Sequence, residues 1–96
     1  MAYKVILQKS ADKELGKISK GDKAGYLGVI AFLDRLKDEK QPQLLKNARK
    51  MQAYNDNRYR WRVGNYRVIG LIRDKELIIE IIKISTREGA YKGGEN

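Results

Sequence analysis

The stretch Arg58-Tyr59-Arg60-Trp61-Arg62-Val63-Gly64-Asn65-Tyr66-Arg67-Val68-Ile69 repeats with a period of two. Successive side chains on a strand point to opposite faces. Arg58, Arg60 and Arg62 therefore share one face, and Tyr59, Trp61 and Val63 share the other. Gly64-Asn65 has the composition of a two-residue hairpin turn. With that turn, Val63 faces Tyr66, Arg62 faces Arg67, Trp61 faces Val68 and Arg60 faces Ile69. The return strand continues as Gly70-Leu71-Ile72.

Working towards the C-terminus, the polar pair Asp74-Lys75 marks a second turn. It leads into Glu76-Leu77-Ile78-Ile79-Glu80-Ile81-Ile82-Lys83-Ile84. This run is apolar at both parities, which predicts a central strand covered on both faces. Thr86-Arg87-Glu88 ends it, and Gly93 to Asn96 should fray. Working towards the N-terminus, residues 44–57 are polar and irregular and read as a loop. Before them lie two amphipathic segments. Ala11, Leu15 and Ile18 recur at helical spacing behind Ser10, a candidate N-cap, with Asp12 and Glu14 in the first turn. Gly21 suits a helix stop, and Asp22 can cap a second helix from about Lys23 to Lys37. Its apolar stripe is Tyr26, Ile30, Leu33 and Leu36, with Leu27. Pro42 fixes the exit. Tyr3-Lys4-Val5-Ile6-Leu7 reads as a first strand.

The order is β-αα-βββ, an α+β chain in which an N-terminal helical hairpin packs on an antiparallel-dominated sheet, followed by a short C-terminal segment. The length of 96 residues fits one domain spanning 1–96. The helices should cover one face of the sheet and leave the arginines on the other.

Composition narrows the chemistry. There is no Cys and no His, which excludes disulfide frameworks, zinc sites built on those residues, and Ser-His or Cys-His nucleophile systems. No apolar stretch is long enough to span a membrane and the N-terminus has no signal-peptide core, so a cytoplasmic protein is expected. The formal net charge is +9. Residues 1–45 carry nine basic and six acidic side chains, whereas residues 46–92 carry twelve and five. Seven of the eight arginines lie in the second half. Lysine is a strongly hydrated point charge that suits solvated helix faces; arginine is a planar fork that grips phosphate bidentately.

Arg62 opposite Arg67 is a destabilising placement, since like charges directly across a sheet repel. A polyanion lying over that face relieves the repulsion. Glu80 has the parity to share the face, so an Arg67–Glu80 pair is the alternative. Tyr59 and Trp61 could stack on bases, but their parity assigns them to the core. Tyr91, four residues after Arg87, is open to a functional or a packing role.

The element order, Tyr59-Arg60-Trp61-Arg62-Val63, the Gly64-Asn65-Tyr66-Arg67-Val68-Ile69 hairpin and the Arg87-x-x-x-Tyr91 ending together resemble the RelE/ParE superfamily, the toxins of type II toxin–antitoxin modules. The resemblance covers nearly the whole chain and rests on the order and spacing of loose motifs. In the RelE-like branch it implies a metal-independent endoribonuclease, an mRNA interferase that needs no cofactor and cuts mRNA in the ribosomal A site. It implies catalytic roles for Arg60 and Arg62, one of them near the attacking hydroxyl, Arg67 on the phosphorane, Arg87 at the leaving oxygen and Tyr91 in orienting RNA. Lys46, Arg49, Lys50, Arg58 and Lys92 are the expected RNA-binding residues around them. Two positions depart from the family pattern. Arg60 stands where the RelE type often has Lys, and Thr86 precedes Arg87 where many members carry a His.

The resemblance also implies an acidic cognate antitoxin, which the net charge of +9 would attract. Two other functions share the same residues: a ParE-like gyrase inhibitor with no nuclease activity, and a non-catalytic RNA-binding module. The full set of Arg60, Arg62, Arg67, Arg87 and Tyr91 favours the nuclease.

Overall fold

In the computed structural model, which describes residues 2–86, the arginine hairpin lies within a five-stranded sheet. The strands are β1 (Lys4–Leu7), β2 (Ala48–Lys50), β3 (Arg58–Val63), β4 (Tyr66–Arg73) and β5 (Ile78–Thr86), in the spatial order β1-β5-β4-β3-β2. The pairs are antiparallel except β1 with β5, which is parallel. Helices α1 (Lys9–Gly21) and α2 (Lys23–Asp38) connect β1 to a short 3-10 turn at Pro42–Leu44. This is the α+β architecture expected from the sequence, with one addition. Ala48–Lys50, inside the segment read as a loop, pairs with β3 as an edge strand. Three residues carry too little periodicity to announce a strand, and this one is specified by its partner.

The hairpin forms in the predicted register, with Arg62 opposite Arg67 and Trp61 opposite Val68. Gly64 adopts φ +58°, as the first central residue of a type II′ turn requires, a conformation costly for any residue with a Cβ. Opposite the arginines, Trp61 and Val68 are fully buried, as are Ile79, Ile81, Val29 and Leu36. Trp61 is the largest side chain in this core. Its ring lies 6.1 Å from Phe32 of α2, and its indole N–H donates to the Pro42 carbonyl at 3.0 Å. Its burial contributes roughly 5 kcal/mol by area, an upper figure.

Room for that ring comes from Gly70. A Cβ there would sit 3.1 Å from Trp61 Cζ3, 3.1 Å from Ile81 Cδ1 and 3.2 Å from the Glu80 carbonyl oxygen. The β4–β5 register shifts at the same place, between Ile69 and Gly70. Ile82 drops out of the ladder there, and its carbonyl accepts the Ser10 hydroxyl at 3.1 Å. This corrects the reading of Ser10 as a cap. Gln8 is the N-cap of α1 and makes no side-chain capping bond. Asp22 does cap α2, accepting the Gly25 amide at 3.0 Å, and it also takes the Tyr66 hydroxyl at 2.8 Å. That second bond ties the helix pair to the start of β4.

The buried stripe of α2 is Val29, Phe32, Leu33 and Leu36. Leu27 is 53% exposed. Two residues along a helix turn about 200°, so burying Val29 in the core sends Leu27 to the far side. A second correction concerns β5. It lies between β1 and β4, but only Ile79, Ile81 and Ile84 are buried, while Ile78 and Ile82 are half-buried and Lys83 is exposed. Its apolar residues at the other parity do not lie under a second layer among the described residues.

Candidate nucleic-acid interface

Strand parity and strand order together place the arginines. Arg60 and Arg62 alternate with Tyr59, Trp61 and Val63, so the packing of that second set aims the first set away from the helices. Cross-strand neighbours share a face, so β4 adds Arg67 opposite Arg62, and β2 adds Arg49 opposite Arg60. The loop leading into β2 brings Lys46 and Asn47 alongside. These six residues, Lys46, Asn47, Arg49, Arg60, Arg62 and Arg67, line one concave pocket of about 270 Å³. Five of them are cations and none is a carboxylate. Ile69, only 9% exposed, lies on the same face between Arg60 and Lys83 in register.

Two unit charges about 5 Å apart repel by about 1 kcal/mol in water and several times that near a low-dielectric surface. Four ion pairs occur among the described residues: Arg35–Glu39, Lys37–Asp34, Arg58–Asp56 and Arg73–Glu80. None of them takes in Lys46, Arg49, Arg60 or Arg62. Arg49 instead donates to the Ala48 carbonyl at 2.9 Å. The pocket therefore holds a concentration of positive charge that a phosphate can neutralise with several charge-assisted bonds.

Glu80 is engaged elsewhere. Its carboxylate takes Arg73 at 2.8 Å and the Gln8 amide, and these two contacts, Gln8 first, hold it below the usual carboxylate range. In register it stands beside Leu71, whereas Arg67 stands beside Ser85. The alternative reading of Arg67 as half of an Arg67–Glu80 pair is not what forms.

The pocket gathers Lys46, Arg49, Arg60, Arg62 and Arg67 from the ten candidate residues. Two others are separated from it. Lys50 pairs with Tyr59, on the helix-side face, and its ammonium lies 5.2 Å from the Tyr59 ring centroid. Arg58 has the parity of the arginine row, but its guanidinium stacks 3.9 Å from the Tyr54 ring centroid and pairs with Asp56 at 3.0 Å. It pins the loop between β2 and β3. Arg87, Tyr91 and Lys92 lie outside the described residues.

Asn47 is the lining residue that the sequence did not reveal. It holds β3 at two points. The Arg62 amide donates to the Asn47 carbonyl at 3.0 Å, and the Asn47 side-chain amide donates to the Arg62 carbonyl at 2.8 Å. The backbone of Arg62 is thus fixed from the β2 side, where no periodic signal exists. Lys83 stands opposite Ile69 on the same face, and a single Lys in an apolar strand carries no signal until its register is known.

A scan against protein-family models found no match, and a search of curated proteins found none either. Solved structures do match. The chain is similar to a toxin–antitoxin complex, RelBE2, from Mycobacterium tuberculosis, with 18% identity, 91% of this chain and 100% of that one covered, and a TM-score of 0.70. It is similar to a free arginine-to-alanine double variant of the toxin RelE from E. coli, with 20% identity over 99% of this chain and 94% of that one and a TM-score of 0.67. These two share the fold. The archaeal RelE–RelB complex from Pyrococcus horikoshii goes further, with 33% identity over 91% of this chain and 97% of that one and a TM-score of 0.74. Identity at that level, over nearly the full length of both chains, means that the chain belongs to the RelE-like toxin superfamily.

Proposed function

We propose that this chain is the toxin of a type II toxin–antitoxin pair and an endoribonuclease that cuts mRNA at the ribosomal A site. The observation that carries this reading is the convergence of Lys46, Arg49, Arg60, Arg62 and Arg67 on one pocket without a carboxylate. Phosphoryl transfer within RNA needs positioning and stabilisation of a developing dianion, which fixed cations supply. The lining supports a reaction run without a metal, because five of its six side chains are cationic donors that repel a metal ion.

In the proposed reaction, the 2′-hydroxyl of one nucleotide attacks the adjacent phosphorus in line. The O2′–P bond forms as the P–O5′ bond breaks. The 2′ proton passes to solvent and the departing 5′-oxygen gains one, leaving a 2′,3′-cyclic phosphate and a 5′-hydroxyl. Arg60 and Arg62 supply the two cations of the strand before the hairpin, with Arg60 near the attacking hydroxyl. Arginine does not deprotonate in proteins, so Arg60 acts by lowering the hydroxyl's pKa electrostatically, not by taking its proton. Arg67 neutralises the phosphorane. The roles of Arg87 at the leaving oxygen and Tyr91 in orienting RNA belong to the same proposal.

The partner is an acidic antitoxin, in keeping with the net charge of +9 and with the RelE–RelB pairing of the archaeal relative. No helix of the described residues is long and apolar enough to cross a membrane. The test is primer extension on a reporter mRNA, with and without translation, during expression of the chain. Cuts within codons that appear only on translated message are expected. Growth arrest with intact message and blocked gyrase supercoiling would establish the ParE-like alternative. Salt-dependent RNA binding with no cleavage in either condition would establish a binding module.

A further inference from the structure

Of the six side chains lining the arginine pocket, five only donate hydrogen bonds. A ribonucleotide presents phosphate oxygens, which only accept, and a 2′-hydroxyl, which also donates. The cations satisfy the phosphate and offer nothing to the hydroxyl proton. Asn47 is the sixth. Its amide orientation is fixed by chemistry: the Arg62 carbonyl 2.8 Å away can only accept, so the nearer amide atom is the nitrogen, and Oδ1 is the other end. Oδ1 makes no hydrogen bond to any described residue.

We infer that Asn47 Oδ1 accepts the ribose 2′-hydroxyl and seats the nucleotide so that this hydroxyl lies beside the phosphate held by the arginines. The inference deepens the ribonuclease reading and rests on it. An amide oxygen is too weak a base to take the proton, so Asn47 binds and orients the hydroxyl. The same contact tells RNA from DNA, since the 2′-hydroxyl is the group that differs between them. The doubled bond to Arg62 explains why the amide stands still enough to do this: the backbone it grips carries one of the arginines that hold the phosphate.

The test uses two small probes that cannot be cleaved, adenosine 3′-monophosphate and 2′-deoxyadenosine 3′-monophosphate, titrated into the intact protein at low salt and followed by backbone amide NMR. Wild type should bind the ribo form about fivefold tighter, the worth of one net hydrogen bond. Asn47→Ala should bring the ratio to one while still binding the deoxy form. Equal affinities in wild type overturn the inference whatever the variant does. A ratio kept in Asn47→Ala overturns it too, and an equal drop for both probes with the ratio kept assigns Asn47 to holding Arg62 alone. In those cases the phosphate pocket stands. If neither probe shifts the Arg60, Arg62 and Arg67 amides, the ribonuclease reading falls, and the inference with it.

Discussion

Arg62 and Arg67 are direct cross-strand partners, two guanidinium side chains facing each other where the hairpin leaves its turn. Cross-strand like charges cost a few tenths of a kcal/mol or more. If the proposed function holds, the pair is a place where folding and RNA binding pull in opposite directions. Arg62→Thr should leave the urea midpoint unchanged or slightly raised, and should weaken RNA binding about tenfold or more by removing charge-assisted bonds. A variant that loses more than about 1 kcal/mol of stability would show instead that Arg62 is part of the scaffold.

Arg49 and Arg60 extend the same logic to the sheet edge. The affinity for single-stranded RNA should fall with added salt, with a log–log slope of about −0.7 for each phosphate neutralised. Arg60→Gln should make that slope shallower by about 0.7. Lys50→Gln, on the opposite face over Tyr59, should leave it unchanged. Equal effects of the two substitutions would mean that the whole surface, rather than the pocket, reads the RNA.

Gly70 should tolerate no side chain. In Gly70→Ala, two of the three crowding atoms belong to side chains packed in the core and the third is a backbone carbonyl, so little can move aside. Overpacking of this kind costs about 1–3 kcal/mol. Denaturant unfolding checks it, and pairing Gly70→Ala with Trp61→Phe should recover part of the loss because the smaller ring vacates the clash. A double variant no better than the sum of the two would place the strain elsewhere.

Stability should fall at both ends of the pH scale, for different reasons. The Asp22 carboxyl is held below the ordinary carboxylate range, first by the Gly25 amide and then by the Tyr66 hydroxyl. Its contribution is present above the unfolded pKa of about 3.9 and is lost as pH falls through the lower folded value. Asp22→Asn should lower the thermal midpoint at pH 7 and match wild type near pH 2. At the alkaline end, burial first and then the Asp74 carboxylate push the Tyr3 phenol up to about 12. That contribution is complete below about pH 10 and declines as pH rises through 12. Tyr3→Phe should remove the phenol that ionises near pH 12 from the absorbance titration at 295 nm and flatten the alkaline loss.

The hairpin was legible in the sequence because two independent rules agree on it. Period-two alternation sets the faces of β3, and the turn length sets the register, so the arginine row follows by counting. The helices were legible as helices, and Tyr26, Ile30, Leu33 and Leu36 do pack inwards, but α2 also buries Val29 and Phe32, the latter against the Trp61 ring, and leaves Leu27 exposed. What stayed hidden is whatever depends on contacts between segments without periodicity. Strand β2, the grip of Asn47 on Arg62 and the diversion of Arg58 to Tyr54 and Asp56 all arise in residues 44–57, where local pattern is silent and the neighbouring strand dictates the outcome.

The parallel pairing of β1 with β5 sets residues 4–7 against residues 78–81. Synthesis is vectorial, so β1 leaves the ribosomal exit tunnel well before its partner β5. The segments that line the pocket, by contrast, are contiguous from Lys46 to Arg67 and emerge together. They are backed by Ile79 and Ile81, which arrive late with β5. A nascent copy therefore cannot complete its sheet, and so cannot present a rigid pocket, until β5 has emerged. Non-local closure of this kind is also slow on the folding timescale. The topology makes completion of the sheet, and of the pocket it carries, wait for β5.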